Sequence, residues 1–202
     1  MSVIQNQSRL DPSELFNLAL HANQNNEHGK AIEHLKELIS LSPEAGEAYY
    51  MLGAIHAEIG MYESAIDEMT TAIRLIPELT SARFQLGLLH LTSGHIDMAE
   101  ETWSELQIQG NDTDPFFYFC KGLLDLSMDE YQSCIENLTK GIELNHDNGP
   151  LNRDMQMMID ETQTAMNNTP TTETASESTE KSKAGQHVLL KAYQNIDEDK
   201  NH

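Results

Sequence analysis

Nine histidines and two cysteines are the side chains of this sequence with the widest chemical scope. His21, His28 and His34 are not spaced to share one helical turn, and the chain has no HExxH or comparable metal-binding motif. Neither Cys120 nor Cys134 lies in a CxxC or cysteine and histidine pattern with zinc spacing. We therefore expect no metal and no cofactor.

Motifs for nucleophilic catalysis are also missing from the sequence. No serine has the flanking glycines of a nucleophile elbow, and there is no GxxxxGK phosphate loop. Only Lys121 lies beside Cys120 to lower a thiol pKa, and we expect Cys134 to be a buried, inert thiol. These observations predict a protein that is not an enzyme, with His56 and His90 packed in its core.

Charge and hydropathy limit the classes of partner. The 202 residues carry a formal net charge of -21, which has the wrong sign for binding to nucleic acids or to anionic membranes. No apolar run approaches the roughly 18 residues of a membrane span. Because the first ten residues also lack the features of a secretory signal, we expect a soluble, cytoplasmic protein.

The elements that must position these side chains follow from an internal repeat. Residues 49–56 (YYMLGAIH) align with residues 83–90 (RFQLGLLH), 34 positions later. The same shift toward the N-terminus places Leu15, Ala19 and Leu35 on equivalent positions, and a shift of 35 residues gives a fourth copy around Gly122. Four copies of a two-helix unit are therefore predicted.

This pattern resembles the tetratricopeptide repeat, with a Leu-Gly pair, a later alanine and a closing proline. The resemblance covers residues 11–146 and implies an all-α, right-handed superhelical array of about four repeats. Small residues recur at one position of the first helices and at one position of the second helices, and they predict close contact between the two helices of a repeat. They are Gly53, Gly87 and Gly122 in the first helices and Ala65, Ala99 and Cys134 in the second helices.

Turn and capping residues set the expected ends of these helices. Gly60 and Gly94 are expected to end first helices in the left-handed conformation, and Pro43 and Pro77 to stop second helices. The residues from Asp11 to Glu14 predict a capping box. Around the repeats we expect a flexible N-terminus (1–10), a capping helix (147–166), a disordered linker (167–185) and a tail with a short amphipathic segment (186–202).

A second apolar face recurs on the first helices. It begins with an aromatic residue three positions before each small residue and continues four and seven positions later. We call this set the aromatic-led face. Its proposed binding residues are Phe16, Leu20, Tyr50, Ala54, Phe84, Leu88, Leu91, Phe119, Leu123 and Leu126. The family resemblance implies that first helices line the concave groove, so this face predicts an apolar groove; packing between neighbouring helices is the alternative.

The groove chemistry favours an adaptor that binds an apolar or amphipathic segment of another protein. The lysines and arginines of a carboxylate clamp are lacking, and the acidic repeats would suit a basic partner. A further candidate ligand is the chain's own segment Val188–Ile196, whose apolar residues form a stripe if helical. Two alternatives remain open: a chaperone similar to those of type III secretion, or a self-associating structural subunit.

The fourth copy departs from the family pattern at two charged positions. Lys121 and Asp125 lie on the side of the first helix that should pack against its neighbours. Because they are four residues apart, they could pair with each other on an exposed helix face, which would fit a terminal repeat with fewer neighbours.

Overall fold

A computed structural model describes residues 10–109 and 113–168 together with Gly185. Within these residues the chain is all-α, as the repeat pattern predicts, and contains no strand. The helices are α1 (Pro12–Gln24), α2 (His28–Leu41), α3 (Gly46–Glu58), α4 (Tyr62–Leu75), α5 (Thr80–Thr92), α6 (Ile96–Gln109), α7 (Pro115–Ser127), α8 (Tyr131–Leu144) and α9 (Gly149–Asn168). The chain divides into two units, residues 1–82 and 83–202, and each has its own apolar core.

The first unit is built from helix pairs. Helix α1 packs against α2, α3 packs against α4, and α2 joins the two pairs by contact with α3. A methyl group placed on Gly53 would lie 2.9 Å from Cγ of Met69 and 3.2 Å from the carbonyl oxygen of Ala65. The predicted close approach of α3 and α4 is therefore confirmed, because no larger residue fits at position 53 without moving a neighbour.

The second unit repeats this arrangement. Helix α7 packs against α8, which also contacts the last helix, α9. At Gly122 a methyl group would lie 2.8 Å from Cδ2 of Leu138 and 3.1 Å from the carbonyl oxygen of Cys134. On α6, Trp103 is fully buried, stacks on Phe84 and donates a hydrogen bond from its indole N–H to the Phe84 carbonyl at 3.0 Å.

The turn between the two helices of each repeat uses one backbone conformation. Gly60 and Gly94 have φ of 78° and 82°, which confirms the prediction for these glycines. Asn26 and Asp129 occupy the equivalent positions in the first and fourth repeats, with φ of 57° and 63°. Asparagine and aspartate are the residues other than glycine that tolerate this left-handed region best, so all four repeats turn in the same way.

Side-chain caps fix the starts of two first helices. Asp11 accepts the Glu14 backbone N–H, and the Glu14 carboxylate accepts the Asp11 backbone N–H, both at 2.9 Å, so the predicted capping box is present. Asp114 caps α7 by accepting the Phe116 backbone N–H at 2.9 Å. Helices α2 and α4 end just before Pro43 and Pro77, as expected.

The last helix, α9, packs its apolar side onto the second core. Met155, Met158, Ile159 and Thr162 are buried, whereas Met166 is exposed. The helix includes Asn167 and Asn168, which the sequence pattern assigns to the linker. The remaining linker and the tail segment lie outside the described residues, apart from Gly185.

None of the helices in the described part of the chain has the length and apolar character needed to span a membrane.

Candidate interaction surface

In the first unit the aromatic-led face is accessible to solvent. Phe16, Tyr50 and Ala54 are half-buried, and Leu20 is 41% exposed. Phe16 packs its inner edge against the core formed by α1, α2 and α3. Phe16 is therefore anchored by the core and still partly available for contact from outside.

A cavity adjoins this face at Phe16. It has a volume of about 380 Å³ and lies between the first turns of α1 and α3. Asn17, Glu44, Glu47 and Ile76 contribute to its walls. This volume falls in the range of roughly 300 to 1,000 Å³ that is usual for ligand pockets, so the cavity can accept one large apolar side chain. The two carboxylates give its rim a negative charge.

In the second unit the same helix positions are buried. Phe84, Leu91, Phe119, Leu123 and Leu126 are at most 2% exposed and belong to the second core. Phe119 packs against Gly141 of α8, and its ring centroid lies 6.3 Å from that of Phe84. Leu88 is half-buried against the same core.

On the opposite side of α1, one residue is not buried as the repeat alignment predicts. The alignment assigns Leu18, Leu52 and Leu86 to the packing side of their helices, but only Leu52 and Leu86 are buried. Leu18 is 40% exposed. Because α1 is the first described helix, no preceding helix covers this side of it within residues 10–109.

A polar pair links the two helices of a repeat, and sequence reasoning missed it. In the second repeat, Nδ1 of His56 lies 2.6 Å from Oε2 of Glu68. At the equivalent positions of the fourth repeat, Asn137 donates a hydrogen bond to Asp125 at 2.7 Å. The predicted pairing of Lys121 with Asp125 is thus wrong, because Asp125 faces α8 whereas Lys121 is exposed.

Burial determines the ionisation of the groups inside the repeats. Burial raises the pKa of Glu68 above 4.5, and the hydrogen bond to His56 offsets part of that rise. Burial lowers the pKa of His90, which has no acidic residue at the position equivalent to Glu68; Thr102 stands there and donates to the Met98 carbonyl. His56 and His90 are both buried in the core, as expected.

The cysteines are in apolar surroundings. Both are fully buried, and burial raises the pKa of Cys134 to about 12 and that of Cys120 well above its ordinary value. A thiol with such a pKa is protonated at neutral pH and is a poor nucleophile or metal ligand. Across residues 10–109 and 113–168, histidine, cysteine and acidic side chains do not gather into a group that could hold a metal ion.

A protein-family model matches part of the sequence. The tetratricopeptide-repeat model matches residues 46–79, which comprise α3, α4 and the turn after them. Residues 46–79 therefore match one tetratricopeptide repeat. A search of curated proteins gave no match.

Solved tetratricopeptide-repeat proteins share the fold. A crystal structure of MamA is 27% identical and aligns over 66% of this chain and 77% of its own, with a TM-score of 0.56. A thermophilic repeat protein of Thermus thermophilus is 20% identical over 78% of this chain and 84% of its own, with a TM-score of 0.60. YrrB, whose structure is described as having an unusual peptide-binding site, is 17% identical over 95% of this chain and 92% of its own, with a TM-score of 0.56.

Proposed function

We propose that this tetratricopeptide-repeat protein is a non-catalytic adaptor that binds an apolar or amphipathic segment of another protein through its aromatic-led face. The observation that carries this proposal is the accessible part of that face in the first unit. There Phe16 and Tyr50 are half-buried, Leu20 is exposed, and a cavity of about 380 Å³ lies beside Phe16.

The contact chemistry favours a particular kind of ligand. Aromatic and aliphatic side chains fixed by a core below them provide the buried centre that protein interfaces require. The cavity can take one anchoring side chain, and Glu44 and Glu47 at its rim favour a lysine or arginine beside that anchor. The expected ligand is a segment with an apolar anchor and a neighbouring basic residue.

A matched pair of substitutions on α1 tests this proposal. Leu20→Lys places a charge on the aromatic-led face, and Leu18→Lys places the same charge on the same helix, at nearly the same exposure, 41% against 40%. The measurement is a pull-down from lysate of the source cell with wild-type protein and both variants. Each variant must first show the helical circular dichroism of wild type.

The expected result is a partner recovered with wild type and Leu18→Lys and lost with Leu20→Lys. Equal recovery with all three proteins would remove the aromatic-led face as the binding site. Loss with Leu18→Lys alone would instead assign the contact to the uncovered side of α1.

That second outcome corresponds to a different function, a self-associating structural subunit. One observation favours it: Leu18 is exposed where its equivalents Leu52 and Leu86 are buried, so α1 has an apolar side that a second copy could cover. Light scattering at micromolar concentration separates the two functions. An adaptor stays monomeric, whereas a self-associating subunit has a larger mass that Leu18→Lys reduces.

A further inference from the structure

The chain returns to the second unit at Gly185. This residue lies 17 positions beyond Asn168, the last residue of α9, and it is buried. Its backbone N–H donates a hydrogen bond to Oδ1 of Asp129 at 2.8 Å. It also sits so close to the carbonyl oxygen of Leu126 that a methyl group at position 185 would overlap that oxygen.

An apolar segment comes soon after this contact in the sequence. Three residues beyond Gly185 begins the segment Val188–Ile196, whose stripe of apolar side chains predicts an amphipathic helix. At about 1.5 Å per helical residue, the whole stripe would lie within roughly 17 Å of Gly185. Gly185 therefore lies at the C-terminal end of α7, three residues before this apolar segment begins in the sequence.

Helix α7 carries part of the aromatic-led face of the second unit. Phe119, Leu123 and Leu126 all lie on α7, and Gly185 contacts the last of them through its carbonyl group. The aromatic-led face is buried in the second unit, which Gly185 contacts. In the first unit, which Gly185 does not contact, the face is accessible, and Leu20 there is 41% exposed. The helix positions compared are equivalent, so the difference arises from what packs over these positions in each unit.

Charge also favours this occupant. Of the 33 acidic residues, 27 precede residue 167, so the repeats carry most of the negative charge. The tail from 167 to 202 is itself slightly acidic, but its residues 181–196 contain three lysines, Lys181, Lys183 and Lys191, and no acidic side chain. The acidic repeats attract these lysines at low and moderate salt.

We propose that residues 186–196 occupy the aromatic-led face of the second unit and that a partner must displace them to use that part of the face. This inference rests on the proposed function for the identity of the face. The chain would thus contain its own competing ligand, tethered by residues 169–184. Such a tether gives the tail an effective concentration in the millimolar range at this face. A partner segment that displaces the tail must therefore bind with high affinity or be delivered as part of a larger complex.

A single substitution tests the anchor in the full chain. In Gly185→Ala the added methyl group would overlap the Leu126 carbonyl oxygen, which belongs to the backbone of α7 and cannot move aside. Alanine favours a helix more than glycine does, so the substitution does not weaken the helical tendency of the tail itself. Gly149→Ala is the matched control, since nothing lies within 4 Å of a methyl group there.

The first measurement is amide hydrogen exchange on wild type and both variants. We expect exchange in residues 186–196 and in the second half of α7 to be about tenfold or more faster in Gly185→Ala than in wild type. Helices α1 to α4 should be unchanged, and Gly149→Ala should match wild type throughout. Equal exchange in Gly185→Ala and wild type would overturn the proposal.

The second measurement is binding of a fluorescein-labelled peptide of residues 184–198 to the same three full-length proteins. We expect Gly185→Ala to bind it about tenfold or more tightly than the other two, because its own tail competes less. Equal binding to all three proteins would also overturn the proposal. Leu20→Lys plays no part in either measurement, so a failure of the proposed adaptor function is recognised separately.

Discussion

Gly87→Ala is the sharpest test of how the second unit is packed. A methyl group at this position overlaps Nε1 of Trp103, a side chain that is fully buried and hydrogen-bonded to the Phe84 carbonyl. Overpacking of a core costs about 1 to 3 kcal/mol. Displacing the indole from its hydrogen bond adds about 1 kcal/mol. The better helix propensity of alanine offsets about 1 kcal/mol, so we expect a net loss of about 1 to 3 kcal/mol in the free energy of unfolding.

Urea unfolding followed by circular dichroism measures this loss. Gly149→Ala, in the same unit and with open space around it, should leave the unfolding midpoint unchanged or slightly higher. In a Trp103→Phe background the indole nitrogen is gone, so Gly87→Ala should cost less there, with a coupling of about 1 kcal/mol. The reasoning is refuted if Gly87→Ala is as stable as Gly149→Ala, or if its cost is the same in both backgrounds.

Three further predictions concern ionisation, reactivity and the turns. Because burial and the nearby His95 lower the pKa of His90 below 6.5, the unfolded chain takes up this proton first, and stability should fall as the pH drops below that value. His90→Gln should reduce the slope of unfolding free energy against pH; an unchanged slope would contradict this. Cys120 and Cys134 should react with Ellman's reagent only after denaturation, and rapid labelling of folded protein would show that they are accessible. Asn26→Val should cost about 1 to 2 kcal/mol in thermal unfolding because of its left-handed backbone, whereas Asn26→Gly should be tolerated.

Much of the fold could be predicted from residue types and their period. The 34-residue spacing, the glycines at positions 53 and 122, and the capping box at Asp11 depend on local sequence or on strict repetition. The structure confirms each of them. A repeated small residue has one simple cause, the close approach of a second helix, so its meaning can be read without the fold.

The accessibility of the aromatic-led face could not be predicted in the same way. Phe16 and Phe119 hold the same place in the repeat, yet Phe16 is half-buried and Phe119 is fully buried. Sequence periodicity places a residue on a side of its helix, but the elements packed over that side decide whether it meets solvent. Leu18 differs from Leu52 for the same reason.

The polar contacts between elements were also decided by tertiary structure. Asp125 was free in the sequence to pair with Lys121 on its own helix, but α8 brings Asn137 within 2.7 Å of it. Gly185 and Asp129 are 56 residues apart, and no local pattern relates them. The sequence by itself determined the repeats, their helices and their turns, because those depend on neighbours within one repeat. Which side chains meet across longer separations depended on how the helices pack, and so did the part of the aromatic-led face that is exposed to solvent.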